Sequence, residues 1–109
     1  MKVKFRVKKN EDFQKIIRDN NKVSNQVFIL YSSKNEEGHA RIGISTSKKL
    51  GNAVVRNRIR RQVRVMTTSS IDLNKERDYI FIVRKHYLKN TYQKNLEELN
   101  RLLSKLKEN

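Results

Sequence analysis

The sequence predicts one small domain in which helices and strands are mixed, on three observations. Residues 23–33 and 40–45 carry the alternation of half-buried strands. Residues 78–84, Asp78-Tyr79-Ile80-Phe81-Ile82-Val83-Arg84, are apolar on both faces, as in the interior of a sheet. Residues 52–66 and 90–107 instead place apolar side chains at helical spacing: Val55, Ile59, Val63 and Met66 in the first, Tyr92, Leu96, Leu99, Leu103 and Leu106 in the second. A chain of 109 residues supports a single modest core, and with three Gly and no Pro it has no long flexible linker to divide it.

At the front, Lys2, Lys4, Arg6 and Lys8 alternate with Val3, Phe5 and Val7, the pattern of a strand or of an arm ordered only by a partner. Asn10 caps a short helix whose first turn holds Glu11 and Asp12 and whose apolar side is Phe13, Ile16 and Ile17; Asp19-Asn20-Asn21 ends it. The strand at 23–33 turns Val27, Ile29 and Tyr31 one way and Phe28 and Leu30 the other. After the polar turn 34–38 comes the strand 40–45, expected antiparallel to the first, with Ile42 and Ile44 on one face and Arg41, Gly43 and Ser45 on the other. Residues 67–77 read as a loop with a helical turn near Ile71. The last helix begins at a capping box of Asn90 and Gln93, and its leucine row is too short for a coiled coil, so it packs on the core.

Charge narrows the function. Twenty-six Lys and Arg against eleven Asp and Glu leave a formal charge of +15, which points to nucleic acid or an anionic membrane surface. No apolar run approaches the ~18–20 residues of a membrane span, no signal-peptide pattern opens the chain, and no cysteine is present for a disulfide or a thiolate metal site, all of which fit a cytoplasmic protein. Between Gly38 and Ile71 there is no acidic residue, while eight Lys or Arg occur, seven of them from Lys48 to Arg64. With Asn52 as helix cap, the wheel gathers Arg56, Asn57, Arg60, Arg61 and Arg64 opposite the apolar stripe. Like charges on one helix face repel, so such a face costs stability unless a polyanion neutralises it; a plain solvated face would mix its signs. The turn Lys48-Lys49-Leu50-Gly51-Asn52 suits a phosphate, because Gly admits positive φ and the helix start exposes N–H groups, although ordinary turns into helices look similar. Phe13 and Tyr31 are candidate stacking surfaces for bases, with burial in the core as the other reading. His39 and His86 lie in or near loops without partners at catalytic or metal-ligand spacing, so no protein active site is read.

Residues 41–61, from Arg41-Ile42-Gly43-Ile44-Ser45 through Lys48-Lys49-Leu50-Gly51-Asn52 to Arg56-Asn57-Arg58-Ile59-Arg60-Arg61, closely resemble the signature of the bacterial ribonuclease P protein family. Arg56-Asn57-Arg58 is its hallmark, and the likeness extends to residues 8–13 and to Asp78-Tyr79-Ile80, weakening after about residue 85. The resemblance implies an α+β fold: a small two-layer α/β sandwich in the order αβββαβα, with about four strands in a mixed sheet and a left-handed βαβ crossover that departs from the usual right-handed rule. It implies one RNA-binding domain over residues 1–109, a monomer bound 1:1 to a catalytic RNA. That RNA would carry the chemistry with Mg²⁺ and no organic cofactor, removing the 5′ leader of precursor tRNA. Lys9, Phe13, Ile17, Tyr31, Arg56, Asn57 and Arg60 would form the leader cleft between the first helix and the sheet. Lys48, Lys49, Asn52, Arg56, Asn57, Arg58, Arg61 and Arg64 would face the RNA subunit. The pattern departs from the family at Ile17, where a second aromatic is common, at Asn20-Asn21, a turn that often holds Gly, and at Val65-Met66. Rival readings are a ribosomal or RNA-chaperone protein, a protein-only nuclease, and a DNA binder, the last without a helix-turn-helix partner for the arginine helix.

Overall fold

A computed structural model describes residues 2–106. Its regular elements are α1 (Asn10–Arg18), β1 (Lys22–Ser24), β2 (Phe28–Lys34), β3 (Arg41–Ser45), α2 (Ala53–Ser70), β4 (Arg77–Val83) and α3 (Tyr92–Lys105), with 3₁₀ turns at Val3–Phe5, Lys48–Leu50 and Lys85–Lys89. The order is αβββαβα, as the resemblance implies. The sheet runs β1-β2-β4-β3. β2 pairs with β1 and β4 antiparallel, while β3 pairs with β4 in parallel through the crossover helix α2.

The central place of β4 explains its two apolar faces. On one face Tyr79, Phe81 and Val83 join Phe28 and Leu30 of β2 and Ile42 of β3 against Ile59, Val63 and Met66 of α2 and Leu99 and Leu102 of α3. Phe28 meets Phe81 and Tyr87 edge to face, with centroids 6.0 and 5.8 Å apart. Each fully buried side chain of this size contributes about 1.5–3 kcal/mol of transfer free energy. On the other face Ile80 and Ile82 pack with Tyr31 beneath Phe13, Ile16 and Ile17 of α1 and Val7.

Several expectations change. The stretch 23–33 is a hairpin, not one strand. Asn25 folds back on itself, its Oδ1 accepting from the N–H groups of Val27 and Phe28 at 2.9 and 2.8 Å, and this Asx turn creates the fourth strand. β3 does run opposite to β2 but does not touch it, because β4 inserts between them; a polar turn of five residues had suggested direct pairing. α2 continues past Met66 to Ser70, since the hydroxyls of Thr67, Thr68 and Ser69 donate back to the carbonyls of Arg64, Arg64 and Met66 instead of breaking the helix. The cap of α1 is Lys9, without a side-chain bond, and Asn10 is already helical. Thr91, not Asn90, caps α3, accepting from the Lys94 N–H at 3.2 Å. The buried face of α3 is turned toward Asn95, Glu98, Leu99 and Leu102, leaving Tyr92 exposed. Both buried polar groups are satisfied: Asn95 bonds Asn90 and the Tyr87 carbonyl, and Glu98 pairs with Lys94 and Arg101 and accepts from Asn25. The expected end of that helix at residue 107 lies outside the described residues. At the front, Arg6 bridges Ile42 and the Val7 N–H donates to the Ile42 carbonyl at 3.0 Å, so the basic arm borders the open edge of β3. Asn20, at φ 55°, takes the left-handed turn after α1 in place of a glycine.

Candidate nucleic-acid interface

The surface is organised by the start of α2. Gly51 takes φ 138°, a conformation in which a side chain is strained, and its missing Cβ leaves room for Val55. Asn52 then caps the helix as expected, its Oδ1 accepting from the Val55 N–H at 3.0 Å. No acidic residue occupies the first turn, so the positive end of the helix dipole is unopposed and Lys48 and Lys49 lie exposed just before it.

Arg56, Arg60 and Arg64 form a row one turn apart, each half-buried, whereas Asn57, Arg58 and Arg61 are exposed. Among the described residues no α2 arginine pairs with a carboxylate. Carboxylates are drawn into ion pairs elsewhere: Asp12, Glu37 and Asp78 surround Arg41, and Glu98 holds Lys94 and Arg101, among others. Arg60 instead donates to the Thr46 hydroxyl and to Asn57. The Arg56 Nε is buried and has no hydrogen-bond partner among the described residues. Burial, and then the charges of Arg6 and Arg60, push the Arg64 guanidinium below its ordinary pKa. The row is a repulsive array of positive charge that an external anion relieves.

The α1 side supplies the apolar element. Phe13, Ile17 and Tyr31 do lie together on one face of the sheet, each half-buried, with the Lys22 ammonium 5.8 Å from the Tyr31 ring centre. Phe13 rests on Gly43: a Cβ there would come within 2.7 Å of its ring. Gly43→Ala is therefore expected to cost about 1–3 kcal/mol by overpacking, and less in a Phe13→Ala background. Urea unfolding of the four variants checks this, and equal costs in both backgrounds would separate Gly43 from Phe13.

The two elements meet at the edge of β3, in a cavity lined by Arg6, Val7, Phe13, Ile42, Gly43, Ile44 and Arg64. The structure thus brings Arg64, expected on the RNA-subunit face, beside Phe13. Lys9 is exposed and borders a separate depression with Asp12, Lys15, Glu37, Arg41 and Asp78, where charges are mixed. Arg58 points to the other flank of α2, next to Tyr87. Sequence reasoning missed Arg6, Gly43 and Thr46. The alternation of residues 2–8 held a signal for Arg6, but its pairing against Ile42 is a long-range contact.

A family model described as Ribonuclease P matches residues 1–107 of this chain. The ribonuclease P protein component of Mesoplasma florum is 44% identical over 105 residues, 94% of this chain and 96% of its own. That of Macrococcus caseolyticus is 46% identical over 107 residues, 94% of this chain and 92% of its own. Among solved structures, the Staphylococcus aureus RNase P protein superposes with a TM-score of 0.81 at 39% identity, covering 92% of this chain and 93% of that one. The Thermotoga maritima RNase P protein gives 0.81 at 26% identity, with 94% and 98% covered.

Proposed function

Because the chain belongs to the ribonuclease P protein family, and so is an RNA-binding component of a tRNA-processing ribonucleoprotein, we propose that it presents the 5′ leader of precursor tRNA to a catalytic RNA. The observation that carries this reading is the row Arg56, Arg60 and Arg64, free of carboxylates and continuous at the β3 edge with the half-exposed ring of Phe13. Phosphates of a single strand neutralise the row while an unstacked base lies on the ring. Lys48, Lys49, Asn52, Arg58 and Arg61 face the RNA subunit, one protein to one RNA.

In this reading no side chain attacks the phosphodiester. The RNA and its Mg²⁺ supply the chemistry; the protein lowers the repulsion between a polyanionic enzyme and a polyanionic substrate, and so lowers the Mg²⁺ needed to hold them together. His39 is turned into its own loop, its Nδ1 2.9 Å from the Ala40 carbonyl and its ring edge-on to Phe5, a structural role.

Reconstitution tests the proposal. Added to ribonuclease P RNA at low Mg²⁺, the protein is expected to stimulate cleavage at the mature 5′ end, with no cleavage by the protein alone. Binding without stimulation would favour a ribosomal or chaperone-type role. Phe13→Ala is expected to weaken precursor tRNA binding by about 1–3 kcal/mol, the worth of one stacked base, and mature tRNA binding much less. Equal losses on both substrates would remove Phe13 from the leader cleft.

A further inference from the structure

On the flank of α2 away from Phe13, a groove opens between α2, the 3₁₀ turn Lys85–Lys89 and the first turn of α3. Its floor is Tyr87, only 4% exposed, whose hydroxyl donates to the Gln62 Oε1 at 2.6 Å. Burial, and then the neighbouring Tyr92, push the Tyr87 hydroxyl up to about 12, so it remains a neutral donor. Asn95 ties the floor down by donating to the Tyr87 carbonyl at 3.1 Å and accepting from Asn90 at 3.0 Å. The frame is thus preorganised.

Two large apolar side chains stand exposed over this frame, Leu88 at 45% and Tyr92 at 40%. The Tyr92 hydroxyl has no hydrogen-bond partner and Arg58 no ion pair among the described residues. Lys85 and Lys89 lie exposed on the bordering turn, which packs against the turn carrying Lys48 and Lys49. Among the described residues no carboxylate lines the groove. An apolar protein partner would leave Arg58 desolvated and unpaired, and an acidic peptide would leave the Tyr92 ring without a use. A nucleotide satisfies both, since its base is a flat apolar plate with polar edges and its phosphate an anion.

We propose that this groove docks an unpaired nucleobase of the ribonuclease P RNA, stacked on Tyr92 and Leu88, with Arg58 and the adjoining lysines on the flanking phosphates. The inference rests on the proposed function and adds a base-recognising contact to an interface otherwise read as purely electrostatic.

The test measures affinity of the full chain for its ribonuclease P RNA across a salt series. Tyr92→Ala is expected to weaken binding about 5- to 150-fold, the range for one lost stack, with the salt slope unchanged. Tyr92→Phe keeps the ring and stays near wild type. Arg58→Ala flattens the slope by about one contact, roughly 0.7–0.9. Base-specific chemical probing of the RNA shows at least one nucleotide protected by wild type and by Tyr92→Phe but not by Tyr92→Ala. Leu88→Glu, at an exposed position on the 3₁₀ turn, repeats the loss should Tyr92→Ala melt early. Wild-type affinity for both Tyr92→Ala and Leu88→Glu, or identical base protection, overturns the proposal and leaves the groove to a different occupant. Failure of the wild-type protein to bind the RNA at all overturns instead the function on which it rests.

Discussion

Replacing Arg56, Arg60 and Arg64 together by alanine is expected to flatten the dependence of RNA affinity on salt by about 2–3 in log–log slope and to weaken binding about a hundredfold near 0.15 M salt, if each arginine meets one phosphate. Stability should not follow. Among the described residues these side chains have no carboxylate partner to lose, and removing them ends both the burial of the Arg64 guanidinium, the first cause of its lowered pKa, and its repulsion with Arg60. The described side-chain hydrogen bonds that the three lose are those from Arg60 to Thr46 and Asn57, worth about 0.5–1.5 kcal/mol each at a surface position. Salt-dependent binding and thermal melting of the same preparation separate the cases. A large fall in melting temperature with an unchanged slope would make the row structural and sink the functional reading.

Asp78→Asn should act the other way, on the fold and not on RNA affinity per contact. Asp78 is 4% exposed at the start of β4. It receives the Arg41 guanidinium in two bonds of 2.9 and 2.8 Å and the Asn35 amide at 2.8 Å, joining β4, β3 and the loop between β2 and β3. The hydrogen bonds to Asp78 are the largest cause that holds the Arg41 pKa above its ordinary value. Removing one partner of a buried pair strands the other, at about 3–5 kcal/mol; Asp12 and Glu37, both still near Arg41, place the loss at the lower end. Around 3 kcal/mol in a chain of this size lowers the melting temperature by roughly 10–20 °C. Adding Arg41→Met should recover part of the loss, because the stranded charge is then gone. A single variant that melts with wild type would show that the pair contributes nothing.

Much of the site was legible because it is local. The cap at Asn52, the glycine before it, the stripe of Ile59, Val63 and Met66 and the acid-free arginine face all follow from spacing along one helix, and the structure shows each of them. Hydroxyl-rich 67–70 was illegible for a related reason: Thr and Ser favour loops by competing for backbone partners, and whether they bond back into the helix depends on the packing that holds the turn. The hairpin at Asn25 was hidden because neither Gly nor Pro marks it, and its Asx turn is braced by Glu98 from α3, 73 residues away.

Local pattern was enough to say which side chains are charged or apolar and which face of α2 each occupies, because those relations depend on helix period alone; it misplaced Tyr92, exposed on α3, and Val27, which the Asn25 turn carries to the Phe28 side of the sheet. That β4 separates β2 from β3, that Arg6 and Arg64 meet Phe13 over Gly43, and that Arg58 turns away toward Tyr87 emerged with the packed fold. Those are contacts between elements distant in the chain. Strand order and helix docking settle them through burial of area summed over the whole core, and no local pattern encodes that sum.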